Sequence, residues 1–121
     1  MELEIKNQSD QITHLALRGL LDTAGVGQVE LRFTALTVPR AKPLLVDMSE
    51  VTYIASLGLR MLLTVAKSLN LRGFKTVLLS PQPAVQQVLS LSGFDQLIPV
   101  RNDEATAVAF LVGDEGRCAA T

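Results

Sequence analysis

The chain has 121 residues and a mass of 13.0 kDa, which fits one domain and leaves too little chain for a second core. Apolar residues make up 48% of it and charged residues 19%, so we expect it to fold rather than remain disordered. Eleven basic and twelve acidic residues give a formal net charge of −1, which excludes a global basic field for holding nucleic acid.

The first third of the chain predicts a hairpin followed by a helix. Apolar and charged residues alternate over residues 2–6, as in a half-buried strand, and a polar turn at 7–10 leads to a second strand at 12–17. So short a connection favours antiparallel pairing. Apolar residues at helical spacing then predict a helix from Asp22 or Thr23 to about residue 37.

The middle of the chain predicts a buried strand, a loop and the longest helix. Residues 44–46 form a continuous apolar run, typical of a strand buried on both faces, and residues 48–54 are predicted as a loop. The helix is predicted from Ser56 to about residue 70, and the next strand covers residues 75–79.

The last third predicts two more helices around a short strand. Ser80 and Pro81 are predicted as the cap and first residue of a helix that stops at 92–93, and a final strand is expected at 97–100. Asn102 is predicted to cap the last helix. The predicted fold is α/β: a single domain with a mixed, mostly parallel sheet of about five strands and about four helices.

Compartment and cofactors are predicted from what the sequence contains. A single cysteine, Cys118, can form neither an internal disulfide nor a cysteine metal cluster, which favours a reducing compartment. No run approaches the ~18 apolar residues of a membrane span, and the acidic start is unlike a signal peptide. We therefore expect a cytoplasmic protein with no membrane partner, no metal and no cofactor.

The start of the longest helix carries the candidate functional residues. Ser56 is predicted as its N-cap, and a helical wheel places Leu57, Met61 and Thr64 on the face opposite the buried stripe. Two outward apolar side chains would each forgo about 1.5–3 kcal/mol of burial unless another molecule covered them. The pattern therefore predicts a partner protein at this face.

The same segment carries a family resemblance. Residues 47–63, which read DMSEVTYIASLGLRMLL, resemble the signature of the STAS domain, the fold of bacterial anti-sigma-factor antagonists. Residues 17–22 resemble the Gly-Glu-Leu-Asp turn of that family, and residues 82–85 and 91–95 resemble its later helix and turn. The resemblance implies a STAS-like domain over residues 1–112, followed by a flexible tail at 113–121.

This resemblance implies a phosphorylation switch. An anti-sigma factor, a serine kinase with a histidine-kinase-like fold, would phosphorylate Ser56, and a PP2C-type phosphatase would reverse the step. The unphosphorylated form would bind the kinase and free the sigma factor. A charged phosphate at the interface would release the partner with little change of fold. The expected partner-binding residues are Asp22, Ala55, Ser56, Leu57, Arg60, Met61 and Thr64.

The segment departs from the family pattern Asp-Ser-Ser-Gly-Leu at two positions. Ala55 stands in place of the aspartate and Leu57 in place of the second serine, whereas Ser56 and Gly58 are retained. A STAS module that serves a transporter or a sensory assembly without being phosphorylated is therefore the alternative function.

Other interpretations of single residues stay open or fail on chemistry. Ser56 as a helix cap alone is the alternative to a phosphate acceptor, and Asp22 fits a helix cap as well as a partner surface. His14, with no second ligand or base nearby, is interpreted as structural. A hydrolase is disfavoured because Ile54 occupies the first glycine position of the nucleophile elbow. We therefore predict a regulator and not an enzyme.

Overall fold

The computed structural model describes residues 1–8 and 11–112, and the predicted tail with Cys118 lies outside that part of the chain. Five strands and four helices alternate after an opening hairpin. In chain order they are β1 (Glu2–Gln8), β2 (Thr13–Leu21), α1 (Thr23–Thr37), β3 (Leu44–Ile54), α2 (Ser56–Leu71), β4 (Thr76–Leu79), α3 (Pro83–Leu91), β5 (Val100–Arg101) and α4 (Glu104–Val112), with a 3-10 turn at Phe94–Gln96 before β5.

The five strands form one mixed sheet in the order β1-β2-β3-β4-β5. β1 pairs with β2 antiparallel, and each later strand joins its neighbour parallel. Parallel neighbours require a crossover, and α1, α2 and α3 supply the three that the sequence pattern indicates. The predicted fold class, a single α/β domain with a mostly parallel sheet, is confirmed.

The two faces of the sheet carry separate apolar clusters. On one face α1, α2 and α3 cover the larger cluster, in which Phe33, Leu17 and Leu62 are at most 2% exposed. On the other face α4 places Ala107 and Leu111 against a smaller cluster around Leu45. Burial of these side chains supplies the main force that holds the layers together.

Strand β3 is longer than predicted, and the expected loop at residues 48–54 is wrong. These residues continue the strand, with Gly19 opposite Val51 and Leu21 opposite Ile54 on β2. The pairing register shifts between Gly19 and Leu20, so the alternation of buried and exposed residues breaks there. The irregularity removes the period-2 pattern by which a strand is predicted.

Strand β4 and helix α3 are joined by a connection that the sequence pattern misassigns. Ser80 does not cap α3: its φ of 53° is left-handed, and its N–H donates to the Arg101 carbonyl at 2.7 Å. The cap is Gln82, and Pro83 is the first helical residue. Ser80 is therefore tied to the end of β5, and the prediction that the Ser-Pro pair starts the helix is wrong.

The approach to α4 differs from the prediction in two places. The strand expected at 97–100 is reduced to Val100–Arg101, because the chain first makes a 3-10 turn. The cap of α4 is Asp103 rather than Asn102, since the Asp103 carboxylate accepts a hydrogen bond from the Thr106 N–H at 2.8 Å. The Thr106 hydroxyl, which donates to the same carboxylate, and then the Thr106 N–H lower the pKa of Asp103.

Candidate functional site

The first turn of α2 is held directly against the end of β2. The Ala55 N–H donates to the Leu21 carbonyl at 3.0 Å. A Cβ atom on Gly58 would lie 2.7 Å from Leu21 Cγ and 2.8 Å from the Leu21 carbonyl oxygen. Only glycine fits this approach without displacing the strand, so Gly58 fixes where α2 begins.

Ser56 is the first residue of α2, and its side chain is exposed. The N-cap is Ala55, so the prediction of Ser56 as the cap is wrong by one position. The Ala55 carbonyl accepts the first bond of the helix from the Leu59 N–H at 3.1 Å, but no side chain caps this end. The first N–H groups of a helix lack intrahelical acceptors, so this uncapped end attracts negative charge.

The outward face of α2 is narrower than predicted. Leu57 is 40% exposed, and Arg60 and Thr64 are exposed with it. Met61 is 2% exposed, so the prediction that it lies on the outer face is wrong. The close contact at Gly58 sets the rotation of the helix and turns Met61, one turn further on, toward the core.

Helix α1 begins beside the same strand end. The Asp22 carboxylate accepts a hydrogen bond from the Gly25 N–H at 2.8 Å, which confirms Asp22 as the cap of α1. A Cβ atom on Gly25 would lie 2.0 Å from the Leu20 carbonyl oxygen. The starts of α1 and α2 thus pack against successive residues of β2, Leu20 and Leu21, and each contact requires a glycine. This packing brings Asp22 close to the Ser56 segment.

An exposed apolar pair near this site was missed by the sequence analysis. Leu20 and Tyr53 are partners in the β2–β3 register, and they are 51% and 50% exposed. The pair lies at the strand ends from which α1 and α2 start. Continuing β3 to Ile54 would have revealed it, because Tyr53 then points away from the buried Ile54.

His14 and Asp47 lie on strands, away from Ser56. His14 is 4% exposed on the face covered by α4, and burial lowers its pKa. Asp47 accepts a hydrogen bond from the Ser49 N–H at 2.9 Å. Within residues 1–8 and 11–112, no group of three acidic, histidine or cysteine side chains could hold a metal ion. No helix of that part is long and apolar enough to cross a bilayer.

Comparison with known proteins supports the fold. The model of the family described as STAS domain matches residues 5–107. BtrV of Bordetella bronchiseptica, named as an anti-sigma factor antagonist, is 36% identical over 95 residues, which cover 78% of this chain and 82% of BtrV.

Two solved structures share the architecture. Unphosphorylated SpoIIAA, an anti-sigma factor antagonist, gives a TM-score of 0.77 at 20% identity, with 93% of this chain and 97% of that chain covered. Phosphorylated SpoIIAA from Bacillus gives a TM-score of 0.66 at 18% identity, with 88% and 96% covered. At these identities the likeness concerns the fold alone.

Proposed function

Since the chain belongs to the STAS domain family, we propose that it acts as an anti-sigma factor antagonist. The observation that carries the proposal is the exposed Ser56 at the uncapped start of α2, with Leu57 exposed beside it. The name of BtrV supports the same role.

The partner would be an anti-sigma factor that is also a serine kinase, docked on the first turns of α2. The docking face comprises the residues that surround Ser56 and reach solvent: Asp22, Ala55, Ser56, Leu57, Arg60 and Thr64. Met61 is buried, so it would contribute to partner binding only indirectly, by holding α2 in position against the core.

Phosphorylation of Ser56 would release this partner. A phosphate carries about −1.5 to −2 charges at neutral pH, and the uncapped N–H groups of α2 stabilise it in the free protein. In the complex the same charge would have to be desolvated beside Leu57, which costs several kcal/mol when no partner charge compensates it. The fold would stay unchanged, as the related SpoIIAA, solved in both forms, suggests.

The protein would regulate without catalysing a reaction. A serine nucleophile needs a base, and the one histidine of the chain, His14, is buried beneath α4. A PP2C-type phosphatase would restore the unphosphorylated form, and the site of action would be the cytoplasm.

The decisive experiment is phosphorylation by the cognate anti-sigma factor. We expect incubation with that kinase and ATP to add one phosphate to the protein, detected by intact mass, and none to Ser56→Ala. Ser49→Ala, which removes another exposed serine, should be modified like the parent protein. Modification of Ser56→Ala would contradict the assignment of the site.

Binding measured by calorimetry tests the switch itself. The phosphorylated protein should bind the anti-sigma factor at least about 100-fold more weakly, the loss expected from several kcal/mol. Leu57→Ala should weaken binding about 5-fold, since the exposed 40% of Leu57 represents about 1 kcal/mol of burial. Leu31→Ala, which removes an 88% exposed leucine from α1, is the matched control and should bind normally.

Two results would separate the alternatives. Equal binding of the phosphorylated and unphosphorylated forms would contradict the switch. Failure of any anti-sigma factor to bind, with stable association to a transporter or sensory subunit instead, would favour the accessory-subunit function.

A further inference from the structure

A groove of about 560 Å³ opens between the second half of α2 and the segment that leads into β5. This volume lies within the range of about 300–1,000 Å³ that is typical of small-molecule sites. Leu63 is the first residue of α2 to line it, seven residues and about 10 Å along the helix from Ser56. No residue of the docking face lines the groove, although Thr64 of that face directly follows Leu63. Its apolar wall consists of Leu63, Ala66, Phe74, Leu97, Ile98 and Pro99.

Three basic residues line the same groove: Lys67, Lys75 and Arg101. Lys75 Nζ and Arg101 Cζ each lie 5.1 Å from the centroid of the Phe110 ring, which belongs to α4 and does not itself line the groove. In the described part of the chain, ion pairs with carboxylates involve Arg18 and none of these three. The acidic residue at the groove, Asp95, accepts a hydrogen bond from a serine hydroxyl instead. Three basic residues against the one carboxylate of Asp95 leave the lining of the groove net positive, which favours an anion.

The groove also borders the start of β4, which has no β5 residue paired with it. The Leu78 N–H donates to the Pro99 carbonyl, and the first residue of β4, Thr76, precedes the point where β5 begins. Thr76 lines the groove and is 6% exposed, and its hydroxyl has no hydrogen-bond partner among the described residues. A buried hydroxyl without a partner is unfavourable, and a ligand oxygen would supply the missing acceptor.

We propose that this groove binds a small amphipathic carboxylate. The apolar body of the ligand packs against the wall beside Leu63 and Leu97, and its carboxylate lies among the three basic side chains and accepts a hydrogen bond from Thr76. A neutral ligand would leave the positive charges unpaired. A wholly polar anion would leave the apolar wall in water. The proposal is independent of the function assigned to Ser56.

Titration of the full chain with sodium octanoate, followed in amide nitrogen–proton NMR spectra, tests this site. We expect saturable shifts centred on Thr76 and Leu97, and at least 10-fold weaker binding of 1-octanol, which has the same apolar chain without the charge. A Lys67→Gln and Arg101→Gln double variant should bind octanoate at least 10-fold more weakly. Lys42→Gln, which removes a lysine outside the groove, should bind it like the parent protein.

Two threonines whose buried hydroxyls lack a hydrogen-bond partner in the described part of the chain allow a sharper comparison. Thr13 and Thr76 both face Leu44 in the register, and both carry a buried hydroxyl without a partner, but Thr13 does not line the groove. Thr76→Val should weaken octanoate binding several-fold, whereas Thr13→Val should not change it. Thermal unfolding of each variant verifies that both fold.

Any of three results would overturn the proposal. The first is the absence of saturable shifts at the groove, and the second is binding of 1-octanol as tight as that of octanoate. The third is an equal effect of Thr76→Val and Thr13→Val. Binding of an acidic peptide at these residues in preference to octanoate would likewise reject a small-molecule site.

Discussion

Single glycines decide how the helices of this protein meet its sheet. A Cβ atom at Gly58 would press on the backbone carbonyl of Leu21, which cannot rotate away as a side chain can. At Gly27, inside α1, a Cβ atom would meet nothing within 4 Å. The two positions are both helical glycines, yet only one of them is required by packing.

We therefore predict opposite effects of two alanine substitutions on the free energy of unfolding. Gly58→Ala should lower it by about 1–3 kcal/mol, the usual cost of overpacking a dense core. Gly27→Ala should raise it by up to about 1 kcal/mol through better helix propensity. Urea denaturation with parallel slopes measures both changes, and a Gly58→Ala variant as stable as the parent would show that the contact is not tight.

The exposure of the candidate residues on α2 was predictable for some of them and not for Met61. Ser56, Leu57 and Thr64 are exposed as the sequence pattern indicates. Met61 is buried because the rotation of α2 depends on a contact with β2, which lies more than thirty residues earlier in the chain. A helical wheel contains no such long-range information.

At the scale of elements, α4 closes the second face of the sheet over a titratable group. His14 lies on β2 beside the cluster that α4 completes, and its Nε2 has no partner among the described residues. Burial lowers its pKa below the ordinary value of 6.5, while Glu104 of α4 and Asp47 oppose that shift and Lys6 adds to it. The neutral imidazole is thus the form that fits the folded protein.

This burial predicts a pH dependence of stability. The unfolded chain takes up a proton on His14 as the pH falls below 6.5, whereas the folded chain resists it, so the free energy of unfolding should be highest above pH 6.5 and decrease below it. Urea denaturation between pH 7.5 and 5.5 measures the effect. His14→Leu should show a smaller decrease, and no other histidine can account for the difference, since the chain has one. An identical pH profile for both proteins would contradict this origin.

Element boundaries were predicted well where local chemistry sets them and poorly where pairing does. α1 begins and ends as its apolar spacing and the Asp22 cap indicate. The sequence pattern predicts β3 too short, and it places a helix start at Ser80–Pro81, whereas α3 begins at Pro83. In both places a register shift or a bond to a neighbouring strand, remote in sequence, overrides the local signal.

At the scale of the whole molecule, the two apolar clusters and the five strands lie within residues 1–112. We propose that the domain extends to Val112, since Leu111, 1% exposed, belongs to the smaller cluster. The fold class was predictable from the sequence because alternation of strands and helices after a hairpin admits few topologies.

We predict that the chain shortened after Val112 folds as the full chain does. Its thermal midpoint should lie within about 2–4 °C of the parent value, a shift that corresponds to no more than about 0.5 kcal/mol for a domain of this size. Calorimetry of the two proteins at equal concentration measures the difference. Loss of cooperative unfolding in the shortened chain would place the boundary further along the sequence.

The brevity of β5 has a consequence for how the protein behaves in a crowded solution. Only Val100 and Arg101 extend that margin of the sheet, and Pro99 before them offers no N–H to an incoming chain. At the opposite margin β1 carries charged side chains at Glu2, Glu4 and Lys6, which disfavour pairing with a second strand. Within the described residues, both margins of the sheet thus carry features that disfavour pairing with a foreign strand, the first step of fibrous growth from the native state.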